Sequence, residues 1–242
     1  MKKIVLTSVL ALAVTSAALA QGNVSWSSIS FASVTAQTNT TTYSSFTGGG
    51  SSGNGSVGAT AAGPSGATFY YALLYTSYSG TQAAVPTSLA ALSTWSNTGL
   101  SATNSTSAGR LSVVNPNAGA QVPWSPGTTD SIVLFGWSDD LGTTYAQALA
   151  NLQNWNSGFG ASLDGAAAYF GLSNTGYITT LSTSTSPGAA VFGTAATAQG
   201  LPIFSPNTQL NELNPVSSVP EPGTMALAGL GGLSLLAFRR KK

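Results

Sequence analysis

Two adjacent carboxylates, Asp139 and Asp140, are the side chains best suited to chemistry in this 242-residue sequence, and Asp164 follows downstream. Adjacent aspartates with nearby carbonyl oxygens can contribute to a calcium site, which needs roughly six to eight oxygen ligands. Two carboxylates facing each other across a cleft can act as a glycoside-hydrolase pair. No EF-hand or other calcium-loop pattern surrounds them. A solvated turn before a helix is the simplest interpretation, and Asp139 and Asp140 stay weak calcium candidates.

Histidine and cysteine are both absent from the sequence. Their absence excludes Ser-His-Asp triads, cysteine nucleophiles and the usual zinc and copper sites, because each of these needs an imidazole or a thiolate. We therefore expect no catalytic residues, no cofactor and no enzymatic activity. A chain without cysteine also forms no disulfides, so the hydrophobic core of a domain must supply its stability.

Tryptophan side chains provide the remaining chemistry, since aromatic faces are common in carbohydrate sites. Trp137 and Trp155 fall at strand and helix positions that predict burial in the core. Trp95 and Trp124 lie among Ser and Asn or among Pro and Gly, which favours exposure. Trp95 and Trp124 are therefore the predicted ligand-binding residues.

The elements that carry these residues indicate a mainly β fold. Charged residues make up only 5% of the chain, and Thr, Tyr, Val, Gly, Asn and Ser supply strand and turn positions. Stretches 68–76 and 131–137 are apolar on both faces, which predicts central strands covered on both sides. Stretches 110–114, 166–172 and 177–181 are weaker candidates, and 24–35 predicts a strand with a bulge or two short strands. The Gly/Ser-rich stretch 39–66 predicts a flexible loop.

One amphipathic helix is expected within 144–155. Tyr145, Ala148 and Leu152 recur at helical spacing, and Thr144 with Gln147 forms a capping box. The fold class that we predict is a single β-sandwich-like, jelly-roll-like domain over 21–214 with this helix packed on a sheet.

Charge is concentrated at the two chain ends. Of the 7 basic residues, only Arg110 lies between positions 21 and 219. Asp130, Asp139, Asp140, Asp164 and Glu212 oppose it, which is one cation against five carboxylates, a net charge of −4. A body with one cation cannot neutralise a phosphate backbone, so we expect no nucleic-acid partner.

The first 20 residues have the pattern of a secretory signal peptide. Lys2 and Lys3 precede an apolar run over 4–14, and the small residues Ala18 and Ala20 precede Gln21. We predict cleavage after Ala20. The short apolar run makes an uncleaved membrane anchor the weaker alternative.

The last 28 residues, 215–242, form a second targeting segment. Val219, Pro220, Glu221 and Pro222 are followed by an apolar stretch over 224–238 that predicts a short helix and a marginal membrane span. Four cations, Arg239, Arg240, Lys241 and Lys242, then stop the membrane segment on the cytoplasmic side. Pro220 and Pro222 keep the motif extended, because neither has an N–H to donate.

This arrangement of motif, apolar helix and basic end resembles the PEP-CTERM sorting signal of Gram-negative bacteria, which is also called an ice-binding protein C-terminal domain. The resemblance covers about a tenth of the chain. It implies that an exosortase, a membrane-embedded cysteine transpeptidase, recognises the motif at the inner membrane and removes the tail. It also implies that the cargo is often produced alongside exopolysaccharide. The fold and role of the body do not follow from this resemblance.

Three functional hypotheses remain open for the body. The first is a structural or adhesive protein of the cell envelope, cell surface or extracellular matrix, for example in a biofilm. The second is a carbohydrate-binding module that uses Trp95 and Trp124. The third is a secreted hydrolase built on carboxylates.

Overall fold

Strands are the predominant secondary structure of the described chain. The computed structural model describes residues 21–49, 57–60, 68–114, 117–163, 167–204 and 207–215. The strands within these residues are β1 Gly22–Trp26, β2 Thr35–Tyr43, β3 Val57–Ala59, β4 Phe69–Ser77, β5 Ser96–Asn104, β6 Leu111–Val113, β7 Asn117–Val122, β8 Thr129–Ser138, β9 Tyr169–Leu172, β10 Gly176–Thr179, β11 Ala189–Ala190, β12 Gly200–Leu201 and β13 Asn207–Glu212.

Helical segments are short, and four of the seven in the described residues follow β8 directly, within 139–162. The α-helices are α1 Leu89–Leu92, α2 Tyr145–Gln153 and α3 Gly160–Ser162. Single 3₁₀ turns occupy Ser30–Ser33, Ser45–Thr47 and Asp139–Leu141, and a π-helical turn occupies Trp155–Phe159.

The strands form a large sheet and a small sheet. The large sheet has the order β3-β2-β13-β9-β8-β4-β5-β6, with β10 also pairing with β8 and with β12. The small sheet has the order β11-β1-β7. Most pairs are antiparallel, but β13 runs parallel to β2 and β11 runs parallel to β1.

The central strands β4 and β8 are buried on both faces. Tyr71 and Leu73 belong to one hydrophobic cluster, whereas Leu74 belongs to the other. Strand β8 alternates in the same way, since Ile132 and Leu134 lie on the first side and Val133, Phe135 and Trp137 on the second. The prediction that both apolar runs are central strands covered on two sides is confirmed.

The two clusters define a layered architecture. The first cluster lies on the same side of the large sheet as β1 of the small sheet, where Val24 and Trp26 are fully buried. The second cluster covers the opposite face with residues of the helical segment, including Ala148, Leu152 and Trp155. The predicted mainly β, sandwich-like fold is therefore confirmed, with the helices as an additional layer.

The amphipathic helix and the bulge also match the sequence. Thr144 accepts a hydrogen bond from the backbone N–H of Gln147, and the Gln147 side chain accepts one from the Thr144 N–H, which completes the capping box of α2. Strand β1 has a register shift between Val24 and Ser25 against β7. The bulge predicted within 24–35 is thus present, although the second half of that stretch is a 3₁₀ turn followed by the start of β2.

The loop predicted over 39–66 needs correction at two places. Strand β2 continues to Tyr43, and Val57–Ala59 forms β3, which pairs with β2 from Gln37 to Asn39. The low-complexity composition concealed these strands because their partners are distant in the sequence: β2 pairs with β13 near the end of the body. Residues 50–56 and 61–66 of the predicted loop lie outside the described residues.

Candidate functional sites

The paired carboxylates lie at one end of the large sheet. Strand β8 ends at Ser138, and Asp139 and Asp140 form the 3₁₀ turn that follows. Tyr169 of β9 donates its backbone N–H to the Ser138 hydroxyl at 2.9 Å and pairs in register with Glu212 of β13. The cross-strand register therefore brings Glu212 to the same end as Asp140. Asp164 lies outside the described residues.

Negative charge accumulates around the Tyr169 phenol. Burial is the largest cause of the raised pKa of Tyr169, and the charges of Glu212 and Asp140 raise this pKa further. Burial also raises the pKa of Asp140, with a second contribution from the neighbouring Asp139 charge. Burial alone raises the pKa of Glu212. These carboxyl groups are thus easier to protonate than free ones.

The described residues contain no group of three or more His, Cys, Asp or Glu side chains arranged to hold a metal ion. Asp139 and Asp140 instead lie in a 3₁₀ turn that precedes α2 in the chain, and the Leu141 carbonyl of this turn accepts a hydrogen bond from the Asn151 amide of α2 at 3.0 Å. Their use as calcium ligands stays a prediction without support from the geometry.

Trp95 and Trp124 are buried rather than exposed. Trp95 is 7% exposed and lies in the cluster beneath the helices, and Trp124 is 6% exposed and lies in the cluster beside the small sheet. The Trp124 ring packs on Tyr75 with centroids 4.9 Å apart. The predicted exposure of these two indoles is therefore wrong, and a role for them in ligand binding stays a prediction without support from their positions. Turn-forming neighbours are compatible with an inward side chain, which composition alone does not reveal.

A first surface depression, the aromatic cleft, lies where β4, β5 and α2 meet. Its volume is about 250 Å³, and its lining includes Tyr70, Trp137, Tyr145, Leu100, Val114 and Asn97. Tyr70 and Trp137 are cross-strand neighbours whose rings stack at 5.7 Å with an interplanar angle of 25°. The Trp137 indole donates to the Gly142 carbonyl at 2.7 Å, which holds the ring in place.

The rim of the aromatic cleft is polar and uncharged. Asn97, Thr143 and Thr144 line it beside Tyr145, the first residue of α2. Burial raises the pKa of the Tyr145 phenol above its ordinary value of 10.0, so the hydroxyl stays neutral and can donate a hydrogen bond. Aromatic faces with neutral hydrogen-bonding groups are typical of sites for uncharged, hydroxyl-bearing ligands.

A second depression, the amide cleft, lies over β9 and β13. Its volume is about 310 Å³, and its lining includes Asn174, Gln209, Asn211, Phe46, Phe170 and Val85. No charged side chain lines either cleft among the described residues. Neither cleft was predicted from the sequence, because each depends on which strands are neighbours. One local signal for the aromatic cleft was present in the sequence: Tyr70 lies on the opposite face of β4 from the fully buried Tyr71.

The C-terminal segment from residue 216 onwards lies outside the described residues, and so do the predicted helix over 224–238 and the signal peptide over 1–20. Strand β13 ends at Glu212, only a few residues ahead of the Pro-Glu-Pro motif. The tail is therefore identified from its sequence.

Residues 218–241 match the PEP-CTERM protein-sorting motif. The PEP-CTERM match includes Val219, Pro220, Glu221 and Pro222 and most of the basic end, so the predicted resemblance is confirmed. A PEP-CTERM motif implies export, sorting by an exosortase at the membrane, and a location in the cell envelope or at the surface. No curated protein and no solved structure matches the chain. Among the described residues, no helix has the length and apolar character needed to cross a membrane.

Proposed function

We propose that this chain is a structural or adhesive protein of the cell envelope or extracellular matrix, without catalytic activity, delivered by its PEP-CTERM tail. The single observation that carries the proposal is the match of residues 218–241 directly after a folded β body. The body itself is rich in hydroxyl and amide side chains and has a single cation, Arg110. Such a surface suits a hydrated, polysaccharide-rich environment and is poorly suited to polyanions.

The proposed sequence of events follows from the two chain ends. The signal peptide directs the chain across the inner membrane and is cleaved after Ala20. The apolar segment over 224–238 then holds the precursor in the membrane while Arg239 to Lys242 stay in the cytoplasm. An exosortase recognises Pro220, Glu221 and Pro222 and removes the tail.

The intact mass of the protein recovered from cells and medium tests this proposal. We expect loss of residues 1–20 and of the C-terminal tail in an exosortase-bearing host. Glu221→Ala should retain the tail, whereas Glu212→Gln, an acidic change outside the motif, should be processed normally. Recovery of the full 242-residue chain from the cytosol would contradict the proposal.

A second candidate function, binding of a neutral glycan, is favoured by the aromatic cleft. The half-buried Tyr70 and Tyr145 rings provide apolar surface, and Asn97 adds an amide. Trp137 is only 2% exposed and supports the Tyr70 ring by stacking on it. The absence of charge from the lining residues favours an uncharged polysaccharide over an acidic one. The hydrolase alternative has no comparable support, since none of the described carboxylates lines either cleft.

Binding to an array of neutral glycans tests this second function. Tyr145→Ala should weaken binding about fivefold or more, because a ring that contacts a ligand contributes roughly 1 kcal/mol or more. Tyr78→Ala is the matched control, because Tyr78 stacks on Tyr177 at 4.7 Å, outside the cleft lining. Equal binding by both variants and the wild type would exclude the aromatic cleft as the site.

A further inference from the structure

The two ends of the body lie at opposite ends of the large sheet. Near the N-terminus, Gly22 donates its N–H to the Trp124 carbonyl, and Gly127 close by donates to the Thr180 carbonyl. This region lies beside Thr129, where β8 begins and pairs with Thr179. Glu212, by contrast, pairs with Tyr169, and Tyr169 lies beside Ser138, where β8 ends. A ten-residue strand spans about 30 Å, so roughly this distance separates the two ends.

The C-terminal end of the body is fastened to the fold up to Asn214. Leu213 is 2% exposed, and its N–H donates to the Ala168 carbonyl at 2.8 Å. The indole N–H of the buried Trp155 donates to the Asn214 carbonyl at 2.8 Å. The Asn214 amide also donates to the Thr47 carbonyl at 3.5 Å. Asn214 is therefore the last residue that these contacts hold to the body, and the connection to the tail is counted from residue 215.

The connection is short compared with the body. Nine residues, 215–223, lie between Asn214 and residue 224, where the apolar segment begins, so ten Cα–Cα steps connect the two positions. A chain of that length reaches about 35 Å when fully extended and averages roughly 18 Å as a flexible coil. The average reach is thus shorter than the 30 Å between the two ends of the body, so the position of Asn214 determines which end stays near the membrane.

We propose that the end of the body around Asn214, formed by the turns Ser45–Thr47 and Trp155–Phe159, is the surface that faces the membrane while the tail is attached. The opposite end, with the exposed hydroxyl run 182–186, faces outward. This inference rests on the proposed insertion of the tail in the membrane. It adds an orientation, which neither the motif nor the body's fold class specifies.

Charge at the membrane-facing end acts against direct adhesion to lipid. Asp139, Asp140 and Glu212 lie at this end, and the lone body cation, Arg110, donates from its guanidinium to the Ala32 carbonyl. Anionic headgroups repel carboxylates. The covalent tail, rather than attraction between the body and lipid, therefore holds this end close to the membrane.

Energy transfer from single labelled cysteines to acceptor lipids tests the orientation. The chain has no cysteine, so each introduced thiol is the only labelling site. Asn156→Cys places the donor in the exposed turn beside Trp155, and Thr128→Cys places it in the exposed turn before β8. With the full tail inserted in vesicles of phosphatidylcholine and phosphatidylglycerol, the Asn156→Cys donor should lie nearer to the lipid by roughly 20–30 Å.

A variant with a Gly/Ser insertion of about twenty residues after Pro215 provides the control. The longer connection should reduce the difference between the two labels by about half or more, because the body can then rotate. Equal distances for the two labels in vesicle-bound chains, or a shorter distance for Thr128→Cys, would overturn the orientation alone. In a vesicle flotation assay, a full chain that does not migrate with the vesicles would instead contradict tail insertion. The proposed orientation, which depends on that insertion, would then be wrong as well.

Discussion

At the residue scale, glycine marks the place where β9 and β13 come closest. A Cβ atom on Gly171 would lie 1.9 Å from the Gln209 carbonyl oxygen, which belongs to the backbone and cannot turn aside. On the neighbouring strand β8, a Cβ atom on Gly136 would lie 2.7 Å from the Leu210 side chain. Close packing of these three strands therefore depends on two residues without side chains.

Gly171→Ala should destabilise the body by about 3 kcal/mol or more, because β9 and β13 must separate to admit the methyl group. Urea denaturation followed by tryptophan fluorescence measures the change. Gly99→Ala is the control, since Gly99 has a φ of +86° but no atom within 4 Å of the added Cβ. Gly99→Ala should lower the free energy of unfolding by about 1 kcal/mol, because it adds only backbone strain. Equal losses for the two variants would contradict the close approach.

The buried indole of Trp124 differs in its hydrogen bonding from the buried indoles of Trp26, Trp137 and Trp155. Its Nε1 has no hydrogen-bond partner among the described residues, whereas Trp26 in the same cluster donates to the Ser101 carbonyl at 3.1 Å. Trp26→Phe leaves a carbonyl without its donor, and Trp124→Phe removes an unsatisfied donor. We expect Trp124→Phe to lower the free energy of unfolding by about 1 kcal/mol less than Trp26→Phe does. A larger loss for Trp124→Phe in thermal or urea unfolding would show that its N–H is satisfied.

At the element scale, the start of α2 depends on a local motif. Thr144→Ala removes the acceptor for the Gln147 N–H and should lower the free energy of unfolding by about 1 kcal/mol. Thr143→Ala is a close control, because the Thr143 hydroxyl makes only a long 3.4 Å contact with Gln147 and is exposed. The control should change stability by a few tenths of a kcal/mol. Equal effects in urea denaturation would argue against the capping box.

The strand β2 shows why some elements escaped prediction. Its sequence, Thr35–Tyr43, is rich in Thr and has a single apolar position that is fully buried, Ala36. The strand forms because β13 and β3 supply backbone partners on its two sides. Amphipathic α2, in contrast, carries its period and its cap within one continuous stretch, so it was predictable.

At the scale of the whole molecule, buried carboxyl groups control the response to pH. Burial raises the pKa of Asp130 and Glu212, and burial together with the Asp139 charge raises the pKa of Asp140. Each group therefore holds its proton more tightly in the folded than in the unfolded state. Tighter proton binding by the folded state stabilises it. This stabilisation is fully present below the ordinary pKa values of 3.8 and 4.5 and is lost as the pH rises through the raised pKa values.

We therefore expect the midpoint of thermal unfolding to rise when the pH falls from 7 towards the ordinary carboxyl pKa values. Asp140→Asn should raise the midpoint at neutral pH, because the neutral amide avoids burial of a charge beside Asp139. It should also reduce the slope of stability against pH. Calorimetry across this pH range measures both effects. A midpoint that falls steadily on acidification would contradict the raised pKa values.

The sequence alone determined the PEP-CTERM tail, the central strands β4 and β8 and the helix α2, because each is encoded by neighbouring residues whose spacing or order carries the signal. Only the tertiary structure decided that Trp95 and Trp124 are buried, that Tyr70, Trp137 and Tyr145 share a cleft, and that the two ends of the body, near Gly22 and Asn214, lie apart. These features depend on which strands pair and in what register. Strand pairing joins residues far apart in the sequence, so composition and local periodicity cannot specify it.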